Sequence, residues 1–338
     1  MKKFTDYSLL GHNTFGIAAK CSCFVEYETV DEALSAARML REEGCRYLLL
    51  GGGSNLLLVS DFEGVVVHSA IRGTSHSVGA DGSILLRVGS GEVWDDIVAL
   101  CVSRGWHGAE NLSLIPGEVG ATAVQNIGAY GSEASHIIYK VEAVDITTGE
   151  RVVIDASECD YGYRHSRFKG EWKDRFIITH VTYRLSPVFE PSLDYGNIRA
   201  ELSRKGIERP TASQLRQAII DIRREKLPDP EVEGNAGSFF MNPVVSRCKF
   251  EQLQKDYPQM PHYTVDADHE KIPAGWLIEQ CGWKGRSLGR VGVHNRQALV
   301  LVNHGGASGA EVLKLSDAVR ESVSRTFGID IFPEVNIV

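Results

Sequence analysis

IPGEVGATAVQNIGAYG, residues 115–131, is the stretch from which the rest of the chain is read. It carries Gly117, Gly120, Gly128 and Gly131, with Ala121, Ala123 and Ala129 between them, and its larger polar side chains, Gln125 and Asn126, stand side by side. Glycine lets backbone come close to a ligand and present its N–H groups, so such a segment suits a flat polar molecule carrying phosphates. It equally suits a tight loop packed on its own core, and the segment alone does not choose between the two.

Upstream lies a second glycine run, Gly51-Gly52-Gly53-Ser54-Asn55. The residues before it alternate like a strand over Cys23–Glu28 and then open a helix at Thr29-Val-Asp-Glu32, a capping box, that runs to about Glu43 with Gly44 as its terminator. Tyr47–Leu50 reads as a short strand that ends in the glycines; Leu56–Val59 and Val65–His68 read as strands after them. A strand, helix, strand order with a glycine-rich exit indicates an α/β arrangement that presents a phosphate at the loop. The run lacks the spacing of a dinucleotide fingerprint or a P-loop and is followed by strand rather than helix. Consecutive turn N–H groups, with the Ser54 hydroxyl and Asn55 amide, are therefore the expected phosphate donors.

Between the two glycine segments, Ile84–Gly89 reads as a strand and Val93–Arg104 as a helix closed by Gly105. Beyond them, Tyr139–Ile146 and Arg151–Asp155 form strands joined by a Thr-Thr-Gly turn, and Phe176–Leu185 another strand. Ser186-Pro187 reads as a domain boundary. Thr211 with Gln214 caps a helix to about Lys226, which Leu-Pro-Asp-Pro stops. Asn235–Val245 reads as a small-residue turn leading into a strand, Ala274–Gln280 as a helix and Ala298–Val302 as a buried strand. Ser308-Gly-Ala-Glu311 opens a last helix to Phe327, and Ile329–Phe332 and Val335–Val338 are extended.

A length of 338 residues suggests about two domains. A net charge of −8 argues against general nucleic-acid binding, although Arg199–Lys226 and Lys284–Arg296 are locally basic. There is no apolar N-terminal run and no apolar stretch long enough to span a bilayer, so a cytoplasmic protein without membrane contact is expected. The 7 cysteines contain no CxxC pair, which fits reduced, mostly buried thiols. The 11 histidines show no ligand spacing, so no metal is expected.

Three polar residues stand in contexts that do not look structural. Arg164 lies in Cys159–Lys169 (CDYGYRHSRFK), a segment dense in aromatics and cations and unlike a core element. Ser238 follows Ala236-Gly237, and Glu334 sits among apolar residues where burying a free carboxylate is costly. Taken one at a time they also read as a surface arginine, a turn serine and an exposed tail glutamate. No GxSxG elbow surrounds Ser238. Residue chemistry alone stops at a two-domain α/β protein with a phosphate-friendly cleft.

Six motifs in order extend this reading: GGGSN at 51–55, IPGxVGxxxxQNIGAYG at 115–131, YRxSxFK at 163–169, RxxKLPDP at 223–230, GNAGSFF at 234–240 and PEV at 333–335. With them the chain resembles the UDP-N-acetylenolpyruvoylglucosamine reductase family, flavoenzymes of peptidoglycan precursor synthesis. The resemblance implies an α+β fold. An FAD-binding domain of the vanillyl-alcohol-oxidase type, made of two α+β subdomains, would occupy 1–186. A C-terminal α+β substrate-binding domain would occupy 187–338, its last strand returning to the first subdomain.

By the same resemblance FAD is held by Gly51, Gly52, Gly53, Ser54, Asn55, Gly117, Gly120, Gln125, Asn126 and Gly128. LDYGN at 193–197 looks like the tyrosine loop of the type I members, so Tyr195 would cover the uridine diphosphate together with Lys226, Asn242 and Gln297. The implied reaction reduces the enolpyruvyl ether of a UDP-sugar with NADPH through FAD. Arg164 and Glu334 match the arginine and glutamate that stabilise the enolate, and Ser238 the proton donor. The implied partners are the UDP-sugar and NADPH, and the implied state is a monomer.

Two departures stand out: Met241 replaces the lysine many members carry after GSFF, and Asn336 stands where relatives often have a basic residue. Another flavin oxidoreductase of the same domain family would give no reason for Ser238, Glu334 and the RxxKLPDP helix to occur together. A non-catalytic flavin- or nucleotide-sugar-binding protein would need no proton donor.

Overall fold

The computed structural model describes residues 1–338, which fall into two compact units, each assembled from separated stretches of chain. The first gathers Met1–Tyr7, Cys21–Gly52 and Glu63–Glu225; the second gathers Ser8–Lys20, Gly53–Phe62 and Lys226–Val338.

The first unit opens with a four-stranded sheet, ordered Lys2–Ser8, Lys20–Tyr27, Phe62–Ser69, Tyr47–Leu50. Tyr47–Leu50 runs parallel to Phe62–Ser69, with Leu50 opposite His68. The helix Val30–Glu43 buries Ala33, Ala36, Ala37 and Leu40, the i, i+3, i+4, i+7 stripe of an amphipathic helix, against Val25, Tyr27, Val65 and Val67. The Thr29 hydroxyl accepts from the Glu32 N–H at 3.2 Å, while the Glu32 carboxylate accepts from the N–H of Glu28, not of Thr29.

A five-stranded antiparallel sheet follows in the same unit, ordered Glu150–Asp155, Ile138–Asp145, Phe176–Leu185, Ile84–Gly89, Thr74–Val78. Trp94, Ile97, Val98 and Cys101 of the helix Trp94–Arg104 pack on it with Val119 and Ala123. Each large side chain so buried contributes about 1.5–3 kcal/mol relative to leaving it in water. The helices Ile198–Arg204 and Ala212–Lys226 share a smaller core of Ile198, Leu202, Leu215, Ile219 and Ile222. Thr211 and Gln214 exchange hydrogen bonds at 3.3 and 2.9 Å, a complete capping box.

The second unit contains an antiparallel sheet ordered Gly234–Ser238, Val300–Asn303, Val291–Val293, Ser287–Leu288. The helices Ala274–Gln280 and Gly309–Phe327 also belong to it. A three-stranded sheet, Val244–Ser246, His269–Lys271, Tyr263–Thr264, adjoins the helix Arg247–Asp256. Asn336–Ile337 pairs in parallel with Leu56–Leu57.

The architecture is α+β, and the α/β reading of the first hundred residues gives way to it. Parallel pairs flank the glycine run on both sides, at Tyr47–Leu50 and Leu56–Leu57, but the five-stranded sheet and the second unit's larger sheet are antiparallel. Three local expectations change. Residues 115–131 are not all loop: Val119–Gln125 is helical, because Ala121 and Ala123 favour helix as readily as they suit close packing. Residues 235–245 begin as strand, since Gly234–Ser238 pairs with Val300–Asn303 despite its small side chains. Cys159, Ser166 and Phe168, in the segment taken as unlike core, are buried.

Candidate active site

In the first unit the two glycine segments meet backbone to backbone. A Cβ on Gly52 would stand 3.2 Å from the Cα of Gly117, and one on Gly51 would stand 3.5 Å from the Cβ of Ala121. Glycine at 52 is thus what permits the approach. The helix Val119–Gln125 is stitched down by its first N–H groups, Val119 to the Glu92 carbonyl at 2.9 Å and Gly120 to that of Ser90 at 2.8 Å. Those donors are already used by protein.

Asn126 ends that helix in the left-handed region, at φ 44°, and is fully buried. Its Nδ2 donates to the Glu133 carboxylate and the Gly162 carbonyl, both at 2.8 Å, and its Oδ1 accepts from the Ser135 N–H at 2.9 Å. Asn126 therefore acts as a rivet between the small-residue stretch and Tyr161–His165.

Arg164 sits on the loop so fixed, itself at φ 54°. Its guanidinium donates to the Gly128 carbonyl at 2.7 Å and the Asn126 carbonyl at 3.5 Å, and Lys169 Nζ donates to its own carbonyl at 3.1 Å. A Cβ at Gly128 would lie 2.9 Å from Nη1, so the small residue there makes room for the arginine. Tyr195 is half-exposed and lies over Gly131, at 3.2 Å from a Cβ placed there.

In the second unit Gly53 adopts φ 63°, and a side chain there would collide with the His12 carbonyl. Asn55 donates to the Glu334 carbonyl at 3.3 Å and accepts from the Asn336 N–H at 3.1 Å and Nδ2 at 3.2 Å. Asn336 thus braces the GGGSN turn. Glu334 donates its N–H to the Phe239 carbonyl at 2.8 Å, and Phe240 bridges Pro333. This sets Glu334 on a chain segment beside Ser238, which is exposed at the end of its strand and paired with Val300.

Asn242 Oδ1 accepts from the Ala274 N–H at 2.9 Å, and Gln297 Oε1 lies 3.2 Å from a Cβ placed on Gly275. Both therefore gather at the start of the helix Ala274–Gln280. Lys226 is exposed at the end of its own helix, and Met241 is partly exposed.

Two features escaped the sequence reading. Arg223 lies inside a quoted motif yet was not singled out. Its Nε donates to the Leu114 carbonyl at 3.2 Å, and burial lowers its pKa against the pull of Tyr130 and Asp95. An arginine three residues before Lys226 on one helix face was the available signal. The second feature is His68, which touches Glu118 of the 115–131 stretch at 3.1 Å; no spacing in the sequence announced it.

A reductase from Bacteroides fragilis named UDP-N-acetylenolpyruvoylglucosamine reductase is 55% identical to this chain over 336 residues, covering 98% of this chain and 99% of the relative. The chain belongs to the UDP-N-acetylenolpyruvoylglucosamine reductase family. Reductases of the same name from Porphyromonas gingivalis and Paraburkholderia xenovorans are 47% and 46% identical, each covering at least 95% of both chains. The family of FAD binding domains matches residues 21–155, and that of the UDP-N-acetylenolpyruvoylglucosamine reductase C-terminal domain matches residues 229–338. The crystal structure of the reductase from Thermus caldophilus shares the fold with a TM-score of 0.68 at 23% identity, over 99% of this chain and 98% of that one. No helix is long and apolar enough to cross a membrane. No group of three or more His, Cys, Asp or Glu side chains is arranged to hold a metal ion.

The residues present fit FAD. A side chain on Gly52 would press on the Gly117 backbone, so glycine there keeps the two segments in backbone contact, the arrangement from which turn N–H groups would line a diphosphate.

Proposed function

We propose that this protein reduces the enolpyruvyl group of UDP-N-acetylglucosamine enolpyruvate to give UDP-N-acetylmuramate, using NADPH and FAD, in peptidoglycan precursor synthesis. The observation that carries the reading is the backbone bond from Glu334 to Phe239, which sets the glutamate beside Ser238 in a chain that matches a family member over 99% of that relative. FAD binds to residues 1–186, at Gly51–Asn55 and along Gly117, Gly120, Gln125 and Gly128, while buried Asn126, expected from the resemblance to touch FAD, instead braces that stretch from within. Substrate binds to 187–338 through Tyr195, Lys226, Asn242 and Gln297. The protein works as a monomer in the cytoplasm and needs neither nucleic acid nor membrane.

FAD held there, once reduced by NADPH, would supply a hydride for the enolpyruvyl methylene carbon. Negative charge then develops on the substrate carboxylate, and Arg164 meets it with a cation whose direction the carbonyls of Asn126 and Gly128 fix. A preorganised donor of this kind is worth roughly 3 kcal/mol of barrier. Glu334 matches the family's glutamate that polarises the substrate during this step. Ser238 Oγ gives its proton to the adjacent carbon, completing the ether as a lactyl group. With Met241 in place of a lysine, the diphosphate draws its cations from Lys226 and the 284–296 region.

The test is optical. The purified yellow protein is expected to bleach with NADPH and to recover its colour anaerobically on addition of the enolpyruvyl sugar. Protein that NADPH does not bleach would be a binding module, and bleaching without recovery would mark a different oxidoreductase.

A further inference from the structure

Beneath the turn at Gly51–Gly52 the first unit holds a charged cluster that the chemistry above does not use. His68 stands opposite Leu50, the last strand residue before the turn. The residue is only 8% exposed, and its ring stacks on Phe24 with 5.9 Å between centroids. Nε2 lies 3.1 Å from Oε1 of Glu118, and Nδ1 lies 3.5 Å from Oε2 of Glu26. Both nitrogens face carboxylates. Nε2–H can donate to Glu118 in either protonation state, and the Glu26 carboxylate 3.5 Å from Nδ1 favours a proton there as well, and so the imidazolium. Burial works against that charge, but the Glu118 hydrogen bond and the charges of Glu118 and Glu26 outweigh it and raise the His68 pKa above its ordinary value.

Glu118 joins this cluster to the Gly51–Gly52 turn. Its Cγ lies 3.5 Å from a Cβ placed on Gly52, and its Oε2 lies 3.7 Å from one placed on Gly51. Oε2 is buried without a hydrogen-bond partner. A bare carboxylate at that depth would repel a phosphate group bound at the turn, because low-dielectric surroundings screen it poorly. The remaining titratable neighbours are Lys2, whose Nζ is 3.2 Å from Glu26, and Tyr27, whose phenol burial keeps protonated. Neither replaces the cation between the two glutamates.

We propose that His68, held as an imidazolium between Glu26 and Glu118, is a positioning residue for the FAD diphosphate. It neutralises the carboxylate under the Gly51–Gly52 turn and fixes residues 115–120 against it, so that cofactor retention weakens as the pH rises. This rests on the reading of Gly51–Asn55 as the diphosphate seat. The sign follows from the raised pKa: the charge is complete below about pH 6.5, the ordinary imidazole value, and is lost as the pH rises through the folded-state value.

The experiment follows FAD release from diluted holoprotein as recovery of flavin fluorescence between about pH 5 and 9. It compares the native protein with His68→Gln, Glu118→Gln, the double variant and Gly52→Val. The native protein should release FAD at least about tenfold faster at the alkaline end than at the acid end. His68→Gln should release it about tenfold faster than native at the acid end and show no pH step. The double variant should return to within about threefold of native, because the carboxylate needing a counter-charge is gone.

Glu118→Gln, which keeps the histidine but removes the carboxylate it neutralises, should flatten the pH step, and this readout survives if His68→Gln folds poorly. A native protein without a pH step, a step that persists in His68→Gln, or a double variant as leaky as His68→Gln would overturn the proposal. Gly52→Val separates it from the reading beneath it. If that variant keeps FAD, the seat is elsewhere; if it loses FAD while His68→Gln behaves as native, only the role of His68 falls.

Discussion

The loop that presents Arg164 and the strand end that presents Ser238 hold their side chains by opposite means. Arg164 occupies a left-handed backbone conformation at φ 54°, which costs a residue with a Cβ roughly 1–2 kcal/mol. It stays there because buried Asn126 ties the loop to Glu133, Gly162 and Ser135. Ser238 is exposed, and its surroundings are aligned mainly by backbone bonds, Phe239 to Leu299 and Glu334 to Phe239, both at 2.8 Å. The difference fits the two tasks. A planar cation opposing developing charge must point one way before the charge appears. A hydroxyl that hands over a proton needs only its oxygen fixed, since the O–H rotates.

The comparison breaks most easily at the serine. Ser238→Ala should slow re-oxidation by the sugar substrate by about 10²–10⁴ while leaving reduction by NADPH intact in stopped-flow absorbance. Equal loss in both half-reactions would remove the proton-donor role. Asn126→Ala should come next, lowering stability by about 3 kcal/mol through the buried groups it leaves unpaired. It should also depress kcat as Arg164 loses its direction; unchanged thermal unfolding together with native kcat would show that the loop is braced by something else. Asn336→Ala removes one exposed bond to Asn55 and should cost at most about 0.5–1.5 kcal/mol. If it destabilised the protein as much as Asn126→Ala, the two regions would be equally braced and the contrast would fail.

Local rules carried much of the fold. Thr29 and Thr211 cap the helices assigned to them, and the strands Tyr47–Leu50, Ile84–Gly89 and Phe176–Leu185 lie where alternation and flanking glycines put them. Thr74–Val78 was not legible because every one of its side chains is exposed, so no apolar alternation marks it. Gly234–Ser238 was read as a turn because it is made of small residues; its pairing with Val300–Asn303 is a long-range fact no local pattern contains. At the candidate site, residue chemistry singled out Arg164, Ser238 and Glu334, but only the family motifs gave them roles. The riveting by Asn126 and the His68–Glu118 contact needed three dimensions, since each joins residues dozens of positions apart.

The interleaving of the two units limits how such a protein can arise and be cut. Ser8–Lys20 and Gly53–Phe62 belong to the second unit although the chain makes them long before Lys226–Val338. During synthesis those early segments wait, without their partners, for some 160 residues to emerge between Phe62 and Lys226. Neither unit can be lifted out as one continuous piece of gene, so recombination would exchange the pair together or not at all.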